Sequence, residues 1–249
     1  MHHSNKNTNK HTHGFVSLSC IFVIAILIGL YFTVSFSIGI SEARNLAQSQ
    51  CVQQASETQG QVLKTLRELF NLNPLSTALR LQIQSLQAQI VAATLAQNYA
   101  ALPGLSAQLT EARNEQLELN QIQKSLIFMA QSKLQSGHIK LLTSLNKNLL
   151  DQNQRWKDAL SLVTSFVAQR EPKVAIRPDS QSGIAPNYEW QTEAEQIQAM
   201  SYSWSLYFTT QERVQRYLSW TNKINLSCLV APQVKGEQWQ LKINVGKPS

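Results

Sequence analysis

Cysteine and histidine are the residues of this chain whose side chains most readily do chemistry. The three cysteines are Cys20, Cys51 and Cys228. They form no CxxC motif and no Cys/His cluster with metal-ligand spacing, so we expect no metal site. Cys20 lies inside a long apolar run, whereas the other two follow it. In an oxidising compartment Cys51 and Cys228 are therefore a candidate disulfide, the alternative being two separate buried thiols.

The histidines do not form a recognisable catalytic group. Four of them, His2, His3, His11 and His13, belong to a polar leader. His138 has no Ser, Cys or acidic neighbour in sequence that would orient it as a general base, so we predict a surface or hinge position. No nucleophile elbow, phosphate loop or paired-carboxylate cluster occurs. We expect no catalytic or cofactor-binding residues, no cofactor, no small-molecule substrate and no enzymatic activity, although distant residues could still assemble a site.

The formal net charge of +7 is spread along the chain. No run of five or more like charges exists, which argues against a nucleic-acid partner. The scarcity of glycine and proline, with nine and seven residues, favours long helices.

Residues 15–40 form an uncharged apolar run that we interpret as a transmembrane helix in the lipid bilayer. As a helix it would measure about 39 Å, against about 30 Å for a hydrocarbon core. Cleaved signal sequences have apolar regions of only about 7–15 residues, so a retained anchor is favoured. Lys6 and Lys10 precede the run without any acid, whereas Glu42 and Arg44 nearly cancel after it. The positive-inside rule then predicts a single-pass inner-membrane protein with a cytoplasmic N-terminus.

The junction between the leader and this run resembles the class III leader of type IV pilins and pseudopilins. Gly14 ends a short basic leader and Phe15 begins the apolar helix, which then continues into an amphipathic part over residues 41–70. The resemblance covers about the first 55 residues. It implies that a membrane peptidase cleaves between Gly14 and Phe15 and that the new N-terminal Phe15 is methylated. Ser19 stands where most pilins carry glutamate, a departure that favours a minor, Tad-type or tip-located, subunit.

The middle of the chain has apolar positions at helical spacing. One stripe ends before Pro74, where we predict a turn over residues 71–74 followed by a new helix with Pro74 in its first turn. A second turn between helices is predicted at residues 101–105. Between and after these turns, the apolar stripes are Leu79, Ile83, Leu86, Ile90 and Ala93, and then Leu119, Leu126, Met129, Leu141, Leu145 and Leu149. The spacing predicts a helical hairpin or three-helix bundle with antiparallel neighbours.

The C-terminal part changes in composition. Residues 171–200 hold Pro172, Pro178, Gly183 and Pro186 and are predicted to be a loop-rich linker. Residues 201–210, 225–232 and 238–245 alternate apolar and polar side chains, which predicts strands, the last two as a hairpin.

The predicted fold class is α+β, mainly α, with an N-terminal transmembrane helix, a long helical hairpin or bundle and a small C-terminal antiparallel sheet. The predicted regions are a cytoplasmic leader (1–14), the transmembrane helix (15–40), an extracytoplasmic helical region (41–170), the linker (171–200) and the β region (201–249). Two functions are considered. The first is a membrane-anchored structural component of a pilus-like or secretion assembly, similar to minor pseudopilins. The alternative is a single-pass envelope protein with a coiled-coil scaffold or partner-binding domain. Both imply protein partners or self-association.

Overall fold

The computed structural model describes the backbone of residues 10–160, 162–180, 183–210, 221–235 and 238–245. Side chains are described between Ser19 and Tyr207, except at positions 36, 40, 43, 150–153, 155–164, 181–182 and 197. The chain divides into two compact units, Met1–Ala47 and Gln48–Ser249. The helices are α1 (Lys10–Asn71), α2 (Asn73–Leu95), α3 (Leu102–Leu160) and α4 (Glu193–Met200). The strands are β1 (Leu162–Arg170), β2 (Ile176–Pro178), β3 (Tyr188–Trp190), β4 (Tyr202–Thr210), β5 (Thr221–Lys235) and β6 (Gln238–Val245).

The predicted fold class is confirmed. The protein is mainly helical, with a long N-terminal helix, a long returning helix and a C-terminal antiparallel sheet. β1, β4, β5 and β6 form that sheet in this order, and β2 pairs with β3 in a separate two-stranded sheet. The predicted strands at 201–210, 225–232 and 238–245 correspond to β4, β5 and β6, and the last two pair as the expected hairpin.

Residues 71–74 separate two helices, as predicted, but the chain does not reverse its direction there. Leu72 adopts a right-handed helical conformation, its amide donates to the carbonyl of Leu69 at 3.1 Å, and the Ser76 amide donates to the carbonyl of Leu72 at 3.0 Å. Helical hydrogen bonding therefore continues across the junction. Pro74 does occupy the first turn of α2, as predicted, because its missing N–H is not needed there.

The return of the chain comes later, between Leu95 and Leu102, close to the second predicted turn. From there α3 runs antiparallel to α2 and then to α1. Leu119 of α3 shares a buried cluster with Leu79 of α2. Farther along α3, the Lys133 ammonium donates to the Thr65 hydroxyl of α1 at 2.9 Å. Helix α3 thus packs along α2 and then along the C-terminal part of α1.

The helical region ends earlier than predicted, at Leu160 instead of residue 170. Residues 162–170 form β1, which pairs antiparallel with β4 across a large gap in sequence, for example Phe166 opposite Leu206. Periodicity missed this strand because apolar and polar residues do not alternate strictly along it and it directly follows a long helix.

Buried side chains define where the core lies. In the hairpin base, which we define as residues 51–69 of α1 with residues 130–149 of α3 and β4, most inward-facing apolar residues are below 2% exposed. They include Cys51, Val62, Leu66, Leu69, Ala130, Leu134, Leu141, Leu145, Leu149, Tyr202, Trp204 and Leu206. The predicted continuation of the apolar stripe past Gly137 is confirmed by Leu141, Leu145 and Leu149.

Candidate functional site

The apolar part of α1 is one candidate functional element. From Ile21 to Ile38 its large apolar side chains are between 38% and 70% exposed, on all sides of the helix. This is the one helix of the described residues that is long and apolar enough to cross a membrane. An exposed surface of this kind is expected where lipid replaces water as the solvent. The helix is therefore suited to membrane anchoring.

The predicted leader junction lies at the start of the same helix. Gly14 and Phe15 fall inside α1, whose backbone is helical from Lys10. The side chain of Phe15, and all of residues 1–9, lie outside the described set. Cleavage after Gly14 therefore stays a prediction.

The cysteines occupy different environments. Cys20 is an exposed free thiol in the apolar part of α1. Cys51 is fully buried and disulfide-bonded. Cys228 is the remaining cysteine of the chain, and its backbone lies on β5 opposite Tyr202. Because the side chain of Cys228 is outside the described residues, its pairing with Cys51 stays a prediction.

His138 is not a surface histidine, so the surface alternative of the prediction is wrong. It is 3% exposed and stacks on the ring of Tyr202, with ring centroids 5.1 Å apart and planes 20° apart. Burial lowers the pKa of His138, while a hydrogen bond with the backbone of Ser203 and the negative charge of Glu171 act in the opposite direction. Its Nε2 atom has no hydrogen-bond partner among the described residues. The structure therefore favours a neutral imidazole, packed as part of the core.

Gly137 explains how α1 and α3 come so close beside this histidine. A Cβ atom on Gly137 would overlap the whole side chain of Thr58, so only glycine fits at this crossing. Tyr202 fills the adjacent space, and its hydroxyl donates to the carbonyl of Leu134 at 3.2 Å. Burial raises the pKa of this phenol. The cluster joins α1, α3 and β4 and offers no pair of groups arranged for proton transfer.

Amide side chains on the helices hold β1 and the extended segment that follows it. In three places one side-chain amide makes two hydrogen bonds to the backbone, as a neighbouring strand would. We call such an amide a clamp. Asn146 binds Phe166 at 3.0 and 2.8 Å, Gln131 binds Pro172 and Val174 at 2.9 Å each, and Asn73 binds Tyr188 at 2.9 Å twice. Each clamp satisfies backbone groups that would otherwise lack partners.

Further contacts tie this segment to the hairpin. Gln116 and Gln123 of α3 donate to the carbonyls of Ile184 and Pro186 at 2.8 and 3.0 Å. The Ser76 hydroxyl of α2 donates to the carbonyl of Ala185, a buried residue with a positive φ of 53°. The described parts of residues 171–200 are therefore folded onto α2 and α3, and they contain β2, β3 and α4, where composition predicted a linker.

An open groove of about 780 Å³ lies where this segment meets α2 and α3. Two guanidinium groups line it, those of Arg80 and Arg113. Arg80 is bound to Asp179 at 3.1 Å, which offsets its charge. The other lining residues are mostly glutamine and aliphatic, including Gln84, Gln87, Leu117 and Ile184. The groove has no arrangement of groups that indicates a reaction.

Sequence reasoning missed the clamp residues, because a glutamine on a helix is equally suited to a solvated face.

Within the described residues, no group of three or more His, Cys, Asp or Glu side chains is placed to hold a metal ion. No protein-family model, curated protein or solved structure matches this chain. Its function must therefore be argued from its own residues and geometry.

Proposed function

We propose that this chain is a membrane-anchored, non-enzymatic structural component of a pilus-like or secretion assembly, similar to a minor pseudopilin. Residues 15–40 would anchor it in the inner membrane with the leader in the cytoplasm. The remainder of the chain would lie on the outer side and contact other subunits.

The observation that carries the proposal is the composition of α1. A single helix begins near the leader junction, exposes apolar side chains over Ile21–Ile38, and then carries the buried residues Val62, Leu66 and Leu69. The C-terminal antiparallel sheet adds to the likeness, since the pilin plan pairs a long N-terminal helix with such a sheet.

The disulfide supports the proposed compartment. Cys51 lies beyond the apolar run and is disulfide-bonded. Stable disulfides form in oxidising compartments and are rare in the reducing cytosol. An extracytoplasmic position for this part of the chain agrees with the basic leader, which the positive-inside rule retains in the cytoplasm.

The test is the N-terminus of the mature protein. Membranes from cells that contain a prepilin peptidase would be extracted and the protein analysed by mass spectrometry. We expect an N-terminal, methylated Phe15 in the natural sequence and an uncut leader in a Gly14→Val variant. A Gly29→Ala variant is the matched control, because a Cβ at Gly29 meets no atom within 4 Å and lies away from the junction. An intact Met1 end in the natural sequence would overturn the proposal.

A single-pass envelope protein with a coiled-coil scaffold is the second candidate. The exposed apolar residues Leu81, Val91 and Leu95 of α2 favour it, because a helix face of this kind can receive another helix. This candidate predicts an uncut leader together with self-association of the helical hairpin. A cut leader in a chain that stays monomeric at high concentration would exclude it.

A further inference from the structure

The space between α2 and α3 already binds one non-helical segment, residues 184–186 of the protein itself. The side-chain amides of Gln116 and Gln123 on α3 donate to the first and third carbonyls of this segment at 2.8 and 3.0 Å. The hydroxyl of Ser76 on α2 donates to the second carbonyl, and the residue that carries this carbonyl, Ala185, is fully buried. Polar side chains of both helices therefore bind the backbone of a segment that lies between them.

The same helix faces continue past this segment toward the turn between α2 and α3. Ile83 and Gln87 follow Ser76 by seven and eleven residues, and Arg113 precedes Gln116 by three, so each lies on the face that binds the segment. Here these residues line the open groove of about 780 Å³. Its size is within the range of about 300–1,000 Å³ that is usual for ligand sites.

The polar groups of the open groove are available to an occupant. Gln84, Gln87 and Arg113 are exposed and form no hydrogen bond or ion pair with another described residue. The second guanidinium of the groove, that of Arg80, is bound to Asp179 at 3.1 Å. Among the described residues that line the groove none is acidic, so Arg113 leaves a net positive charge there. A carboxylate is the complementary group.

Apolar side chains lie beside these polar groups. Ile83 is half-buried, and Leu117 and Ile184 are 46% and 47% exposed at the groove. An aliphatic side chain of an occupant would remove part of this surface from water. Residues 80–87 of α2 rise by about 10 Å, which is the length of about three residues of extended chain. The groove therefore matches a short peptide with aliphatic and acidic side chains.

A non-helical polypeptide segment fits the groove better than a helix or a nucleic acid. Such a segment has a free N–H and C=O at each residue, which Gln84 and Gln87 can bind as Gln116 binds the protein's own chain. A helix has already satisfied most of its backbone groups internally. A nucleic acid would need several cationic groups and aromatic side chains for stacking, whereas the described lining has one unpaired guanidinium and no aromatic residue.

We propose that the groove binds a short, non-helical segment of a partner polypeptide that carries an aspartate or glutamate beside an aliphatic residue. The carboxylate pairs with Arg113, the aliphatic side chain covers Ile83 and Leu117, and Gln84 and Gln87 bind the backbone. This inference rests on the proposed function for the presence of a protein partner and deepens it by stating the chemistry of that partner. Peptide binding and the mature N-terminus are separate measurements, so each can fail without the other.

The first experiment identifies a peptide. Random heptapeptides without cysteine, displayed on phage, are selected on the full-length chain in detergent micelles after phage that bind empty micelles have been removed. We expect the enriched sequences to share an acidic residue next to an aliphatic one. Enrichment of no sequence, or of sequences without an acidic residue, would overturn the proposal.

The second experiment places the peptide in the groove, with affinity measured by fluorescence anisotropy of the labelled synthetic peptide. We expect Arg113→Glu to weaken binding by at least about tenfold and Gln87→Leu by about three- to tenfold. Lys140→Glu and Gln82→Leu are the matched controls, because they make similar changes at exposed positions of the same helices outside the groove. Unfolding followed by the fluorescence of the buried Trp204 checks that each variant is folded. Groove variants that bind the peptide as well as their controls do would show that the site lies elsewhere.

The third experiment tests recognition of the backbone. Each internal amide of the selected peptide is N-methylated in turn, which removes one backbone donor and leaves the side chains unchanged. We expect at least one of these peptides to bind about three- to tenfold more weakly to the natural chain, and to lose most of that difference with the Gln87→Leu chain. If every N-methylated peptide binds as tightly as its parent, the amides of the groove do not bind a backbone and the proposal is wrong.

Discussion

The hairpin base and the hairpin tip, which comprises residues 87–111, are built from similar residues but bury them to different extents. In the base, Leu66, Leu134 and Leu141 are at most 1% exposed, because α1, α3 and the sheet enclose them together. In the tip, the apolar residues of α2 and α3 have only each other, and Leu95 remains 81% exposed. The number of layers that meet, and not the composition of the helices, determines how much apolar surface is removed from water.

This difference assigns separate roles to the two regions. The base supplies the stability of the domain from its own core, and clamps such as Asn146 attach the sheet to it. The tip contributes less to that stability, because its apolar side chains remain largely exposed to water. The predictions below test this division, beginning with the largest expected effect.

Truncating a core leucine of the base should cost far more than truncating one in the tip. We expect Leu66→Ala to lower the free energy of unfolding by about 2–5 kcal/mol, since it leaves a cavity among packed neighbours. Leu95→Ala should change it by no more than about 0.5 kcal/mol. Denaturant unfolding followed by tryptophan fluorescence, at concentrations where the protein is monomeric, measures both. Similar costs for the two variants would remove the distinction between base and tip.

The close approach of α1 and α3 should not tolerate a side chain at Gly137. Although alanine favours helices, the overlap with Thr58 leads us to expect that Gly137→Ala lowers the free energy of unfolding by about 1–3 kcal/mol. Gly60→Ala is the control, because a Cβ at Gly60 meets no atom within 4 Å, and it should stabilise α1 by up to about 1 kcal/mol.

A second substitution sharpens this test. Adding Thr58→Ala to Gly137→Ala should recover part of the lost stability, since the two side chains compete for one space. If Gly137→Ala proves as stable as Gly60→Ala, the helices are not in the contact described.

The stability of the base should depend on pH through His138. Burial lowers its pKa below the ordinary value of 6.5, so the unfolded chain takes up a proton before the folded one. The contribution of the neutral His138 to the free energy of unfolding is therefore fully present above about pH 6.5. It is lost as the pH falls from there through the pKa of His138 in the folded chain. For one titrating group, the free energy of unfolding changes by at most about 1.4 kcal/mol per pH unit.

His138→Phe is the matched variant, because phenylalanine can stack on Tyr202 without titrating. Unfolding measured between pH 7.5 and pH 5 should show a smaller loss of stability for this variant than for the natural chain. The charged groups facing the histidine include Glu171, so Glu171→Gln should steepen the pH dependence of the natural histidine. Identical pH profiles for the natural and His138→Phe chains would contradict the assignment.

The smallest expected effect lies at the end of α2. Gln97 has a positive φ of 56°, its amide donates to Thr94 at 3.2 Å, and the Asn98 amide donates to Ala93 at 2.9 Å, which is the Schellman arrangement. Glycine is favoured at this position, so Gln97→Gly should raise the free energy of unfolding by about 0.5–1 kcal/mol. Asn98→Gly, one residue on, is the control and should not stabilise. A destabilised Gln97→Gly variant would mean that the turn differs from the one described.

By itself, the sequence determined the features that repeat over short distances. The uncharged run after Gly14 predicted a membrane-spanning helix, the heptad stripes predicted α2 and α3, and alternation predicted β4, β5 and β6. These signals are local. A helix places every third or fourth residue on one face, and a strand places every second residue on one face.

Tertiary structure alone decided the contacts between residues far apart in the chain. It placed His138 against Tyr202, formed β1 by pairing it with β4, and used Gln131 and Asn146 as clamps. Neither His138 nor the two clamp residues Gln131 and Asn146 have a type or spacing that distinguishes them from solvated positions. Their roles follow from which surfaces meet once α3 returns along α1 and α2, and the free energy of those contacts depends on partners that neighbouring residues do not specify.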